Sequence, residues 1–126
     1  MGSMTEPIVH VASRGDWEDA LTGGRYEPPG FAEEGFVHCS FVEQVVPVAD
    51  AFFAGRTDLV LLVIDPDRRS AEVRVEAPVP PTGDDQRFPH VYGAIELDAV
   101  IDVVDFPCGP DGRFAVPARL RSDPGR

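Results

Sequence analysis

The spacing of apolar and polar positions changes repeatedly along the chain, and the changes predict alternating short strands and helices. Residues 7–12 form a β-branched run in which Ile8, His10 and Ala12 share one face and Val9 and Val11 the other. Ser13 has the chemistry of an N-cap. The apolar positions Trp17, Ala20 and Leu21 that follow have helical spacing, and Gly23-Gly24 supplies the stop. Residues 25–35 carry Pro28-Pro29-Gly30 and mixed charges, which predicts a surface loop long enough to serve as a lid.

A second strand is predicted over residues 36–40. It runs directly into a helix, because Ser40 and Glu43 have the spacing of a capping box. That helix continues through Val45, Ala49, Phe52 and Phe53 to Gly55, with Pro47 in its first turns or at a bend. Residues 59–64 are an unbroken apolar run bounded by Asp58 and Asp65-Pro66, the pattern of a strand buried on both faces at the centre of a sheet. Residues 71–76 alternate as a half-exposed strand, residues 78–85 make a long loop, and a last strand spans residues 99–106. The Pro-flanked segment 88–93 is expected to be a loop that presents binding groups. Beyond residue 106 the chain is rich in Gly, Pro and Arg without periodicity, which predicts a loosely docked or disordered tail over 107–126.

With 126 residues the expectation is one α+β domain over residues 7–106. Residues 1–6 read as a cloning scar and N-terminal extension without the layout of a signal peptide. No apolar run reaches the roughly 18 residues of a membrane helix. With only two cysteines, Cys39 and Cys108, a disulfide framework is not expected, and the reading is a cytoplasmic protein with reduced thiols. The formal charge of −11 repels a phosphate backbone, so duplex nucleic acid is not an expected partner. The chain has no Lys, which excludes a lysine Schiff base and a P-loop lysine, and no Asn, which excludes a Cys-His-Asn triad.

Chemistry then falls to three histidines, His10, His38 and His90. Each has a bland alternative as a hydrogen-bonded packing residue. In a strand His38 and Ser40 point to the same side and Cys39 to the other, so Cys39 cannot use His38 as its base. Ser40 caps the helix or meets a ligand, and an anion would suit the helix N-terminus there. Tyr92 can stack on a flat ring, and Glu76, ending a strand, can act as acid, base or ribose-binding group. The local spacings of zinc motifs are missing, so no metal is expected.

Taken in order, Ile8-Val9-His10, Asp16-Trp17, Ala20-Leu21, the run from Glu34 to Ser40, Phe52-Phe53, Leu59 to Leu62, Arg74-Val75-Glu76, the run from Phe88 to Gly93 and Leu97 to Val100 resemble the bacterial DUF952 family over roughly residues 7–106. That family is grouped with ADP-ribosyltransferase-like folds. The resemblance implies a small split β-sheet core with two or three helices and a cleft between its halves, in which NAD or a related nucleotide is bound as a substrate and no permanent cofactor is required. It further implies that His10 holds the ribose, that the His38/Ser40 corner supplies the second site position, and that Glu76, His90 or Glu96 completes it. The catalytic set expected on this basis is His10, His38, His90 and Glu76, with His10, Ser40 and Tyr92 contacting the nucleotide. The competing expectation is a non-catalytic module for a small anionic metabolite.

Overall fold

The computed structural model describes residues 7–65, 72–78 and 86–120. The expected extension at residues 1–6, most of the 78–85 loop and the end of the tail lie outside them. The described residues fold as a small α+β unit with three α-helices and several antiparallel sheets. Its strands are β1 (Ile8–Ser13), β2 (Arg25–Tyr26), β3 (Val37–His38), β4 (Ser40–Phe41), β5 (Leu59–Ile64), β6 (Glu72–Glu76), β7 (Phe88–Tyr92), β8 (Ile95–Glu96) and β9 (Val100–Asp105). The helices are α1 (Arg14–Gly23), α2 (Phe31–Glu34) and α3 (Val42–Phe52).

A four-stranded sheet runs in the order β4-β1-β5-β9, a three-stranded sheet in the order β3-β7-β6, and β2 pairs with β8. All six residues of β5 are buried, as its unbroken apolar run predicts. The reason lies in its alternation. Val60, Leu62 and Ile64 enter a core shared with Tyr26, Val37 and Val91, whereas Leu59, Leu61 and Val63 enter a second core beneath α3 with Val45, Ala49 and Phe106. Ser13 caps α1 by accepting the N–H of Asp16 at 3.1 Å, and Gly24, at φ 94°, closes the helix in a conformation that costs other residues strain.

Four expectations are corrected. The strand over residues 36–40 is broken at Cys39, because β3 pairs with β7 and β4 pairs with β1, so the chain changes sheets there. The capping box is shifted by one residue: the cap is Phe41, whose N–H is accepted by Gln44 Oε1 at 2.9 Å, and Ser40 lies in β4 instead. The 88–93 segment is mostly strand, not loop. Its Pro89 is tolerated in the central β7 because β3 ends opposite it, and the Pro89 carbonyl accepts the Cys39 N–H at 3.1 Å. Finally, residues 107–120 are docked. Phe114 is buried, stacks on Phe106 with centroids 4.8 Å apart, and donates its N–H to Asp50 at 2.9 Å.

The supposed loop at 25–35 also holds order. Tyr26 is buried in β2, and α2 is closed by Gly35 at φ 83°.

Candidate functional site

A cleft of about 800 Å³ opens where β4 leaves β1. β4 covers only Ile8 and Val9, so the later part of β1 has β5 on one side and the cleft on the other. Which peptide groups face the cleft follows from strand alternation. The Arg14 N–H donates to Asp58 O, and the Phe106 N–H to Leu59 O, so even-numbered residues of β1 bond β5 and odd-numbered ones face outward. The N–H and C=O of Val11 therefore point into the cleft, without a backbone partner among the described residues.

All three histidines line this cleft, together with Ser40 and Tyr26. Its remaining walls are largely apolar, with Val48, Ala51, Phe52 and Phe53 from the α3 end and Pro28 and Pro29 from the segment between β2 and α2. The structure thus brings together groups that the sequence keeps far apart, but it gives each imidazole a different state.

His10 is satisfied and neutral. Its Nδ1–H donates to the His38 carbonyl at 2.6 Å, which leaves Nε2 to accept the Tyr26 hydroxyl at 2.9 Å. Burial pulls its pKa from 6.5 down to about 4, against the opposing pull of the backbone hydrogen bond. Burial likewise pushes the Tyr26 hydroxyl up, so it stays a donor. His38 is the open one, with its Nε2 3.0 Å from Glu34 Oε1 at an exposed position.

His90 is 1% exposed, and its Nδ1–H donates to Glu76 Oε2 at 2.8 Å. Burial holds its pKa below the ordinary value even though the bond to Glu76 raises it. The Tyr92 hydroxyl donates to the same Glu76 oxygen. These two bonds, that of Tyr92 first, hold the Glu76 carboxyl below its usual range. Arg74 covers the Tyr92 ring at 4.2 Å. The His90 ring is stacked on Phe36 at 4.5 Å and meets His38 edge-on at 5.3 Å between centroids.

Glu76 and Tyr92 do not belong to the cleft wall; they stand behind His90 and act on the cleft through it. Glu96 pairs with Arg25 in the β2–β8 ribbon, also outside the cleft. Ser40 is buried, lines the cleft, and its hydroxyl has no hydrogen-bond partner among the described residues. Cys39 is packed in the core with its thiol pKa raised by burial, which makes it inert. Among the described residues no group of three or more His, Cys, Asp or Glu is arranged to hold a metal ion, and no helix is long and apolar enough to cross a membrane.

Sequence reasoning missed Tyr26 and the Val11 peptide edge. A Tyr beside Gly24 and Pro28 gave no hint that its hydroxyl would bond an imidazole from β1, and the open edge depends on where β4 ends.

The sequence profile of the family described as "Protein of unknown function (DUF952)" matches residues 11–103. The crystal structure of protein CC0527 from Caulobacter crescentus is similar at 30% identity and TM-score 0.76, over 86% of this chain and 93% of that one. Its solution NMR structure is similar at 31% identity and TM-score 0.72, over 87% and 91%. No curated protein matches the chain.

Proposed function

The chain belongs to the DUF952 family, and within it we propose an ADP-ribosyltransferase-like enzyme that takes NAD or a related nucleotide as substrate in the histidine-lined cleft. The observation that carries this reading is the convergence on one apolar-walled cleft of hydrogen-bonding groups that lack a partner among the described residues: the Val11 peptide edge and the buried Ser40 hydroxyl. Buried polar groups without partners are rare in folded proteins, and a ligand that supplies the missing partner explains them.

The chemistry of NAD fits these groups. A nicotinamide carboxamide carries one acceptor and one donor pair, and a strand edge offers the matching N–H and C=O. Apolar walls suit the flat rings. Arg56 lines the same cleft and faces Asp58 at 2.7 Å, an exposed pair that a pyrophosphate can compete for. In this reading His10 is not a proton carrier. Its fixed tautomer orients the Tyr26 hydroxyl and the β1 edge, and it reaches a ribose only through that hydroxyl. NAD is consumed, so no permanent cofactor is required.

The test is a thermal-shift screen with NAD, ADP-ribose and nicotinamide, repeated on Val11→Pro. Proline removes the outward N–H while sparing the bonds to β5. Saturating NAD should stabilise the native protein by about 2.7 kcal/mol at a hundredfold excess over Kd, and V11P should bind at least tenfold more weakly. No stabilisation at millimolar ligand would overturn the reading. Binding of NAD or ADP-ribose with no nicotinamide released would favour a non-catalytic module for a small anionic metabolite.

A further inference from the structure

We propose that His90 is the general base of the cleft, with Glu76 as its positioning residue, and that it serves an acceptor carrying a hydroxyl group or water itself. The nucleotide reading above supplies the electrophile in this proposal; the state of the imidazole does not depend on it.

Strand register sets the arrangement. His38 is opposite His90, and His90 is opposite Arg74, so the three side chains form a row on one face of the three-stranded sheet. Glu76 and Tyr92 lie two residues away on the same face. Glu76 is a carboxylate and can only accept, so the hydrogen of His90 is on Nδ1 and the lone pair is on Nε2. No described residue bonds that Nε2. His90 lines the cleft and Glu76 does not, and with Nδ1 held by the carboxylate Nε2 is the nitrogen left for a ligand.

The groups packed around the ring orient it, and burial outweighs the carboxylates in keeping it neutral. Glu76 and Arg74 approach from β6, Tyr92 from β7 itself, His38 from β3, and Glu34 stands behind His38. Phe36 covers one ring face. The carboxylates favour a proton on the ring, whereas burial and a protonated His38 oppose it. A free imidazole nitrogen fixed by a carboxylate on its other side is the arrangement that general-base catalysis requires.

The step balances without a further reagent. The acceptor O–H gives its proton to His90 Nε2 while its oxygen bonds the ribose C1′. The bond from C1′ to the nicotinamide nitrogen breaks, and its electron pair leaves with neutral nicotinamide. The imidazolium that forms is 2.8 Å from the Glu76 carboxylate, which stabilises it. With water as acceptor the products are nicotinamide and ADP-ribose, and the proton passes from His90 to solvent.

The test combines nitrogen-15 NMR of the imidazoles in the ligand-free protein with nicotinamide release from NAD across pH. In the unmodified chain His90 should show a protonated Nδ1 and a bare Nε2. Glu76→Gln should lower the His90 titration point, move the acid limb of kcat/KM to lower pH by the same amount, and cut the rate at least tenfold. His90→Gln should cut the rate by about 100-fold or more while NAD still stabilises the protein. A protonated Nε2, an acid limb that E76Q leaves in place, or full activity in H90Q would overturn the proposal. Should the unmodified chain neither bind nor cleave NAD, the nucleotide reading falls. The spectra then decide the dyad alone, a bare Nε2 sensitive to E76Q supporting it and a protonated Nε2 overturning it.

Discussion

Replacing His10 by Gln should flatten the acid side of the stability curve. The folded protein holds this imidazole neutral, with a pKa of about 4 against 6.5 for a free side chain. Below about pH 6.5 the unfolded chain takes up a proton that the folded chain refuses, so stability is fully present above that value and lost as pH falls toward about 4. At about 1.4 kcal/mol per unit the complete loss approaches about 3 kcal/mol, and by about pH 5 roughly 2 kcal/mol of it has gone. Solvent screens this imidazole little, since His10 is 8% exposed with both nitrogens bonded inside the protein. Urea unfolding followed by Trp17 fluorescence at several pH values measures the curve. A glutamine side chain does not titrate, so the difference between the two proteins isolates the one group, whatever the carboxylates contribute to both. The substitution itself costs stability at neutral pH, but that offset is constant. Parallel curves between about pH 7 and about pH 5 would refute the assignment of a buried, neutral His10.

Three further substitutions examine the surroundings. Tyr26→Phe removes the donor to His10 Nε2 and leaves a buried acceptor unsatisfied, a loss of about 1–3 kcal/mol in chemical denaturation. Phe114→Ala takes the aromatic ring away from Phe106 and the α3 core and should cost about 3 kcal/mol; a change under about 0.5 kcal/mol would mean that residues 107–120 are not docked. Glu34→Gln disturbs an exposed pair with His38, and thermal unfolding should register less than about 1 kcal/mol.

How much of this was legible in the sequence depended on whether a local pattern or a distant partner decided the structure. The β1 alternation, the Ser13 cap and Gly24 stop of α1, and the doubly buried β5 follow from their own residues, and each is found. The split at Cys39 does not, because nothing local says that β3 will pair with β7 and β4 with β1. Pro89 argued for a loop since a proline inside a sheet forfeits a bond, and only the early end of β3 removes that objection. The tail looked aperiodic, yet Phe114 finds Phe106 and Asp50. At the site, the three histidines were visible as residues, and the fold brings them to the wall of one cleft. Their states were not visible. Whether an imidazole has both nitrogens bonded within the protein, as His10 does, or one nitrogen held by a carboxylate, as His90 does, turns on Tyr26 and Glu76, partners 16 and 14 residues away in the chain.

The most direct measurement is an NMR titration with NAD, followed at the Val11 amide and the His90 imidazole nitrogens. Saturable movement of both signals is expected, since Val11 and His90 line the same cleft. Signals that stay fixed up to several millimolar NAD, or that move only on surfaces remote from β1 and β7, would contradict it.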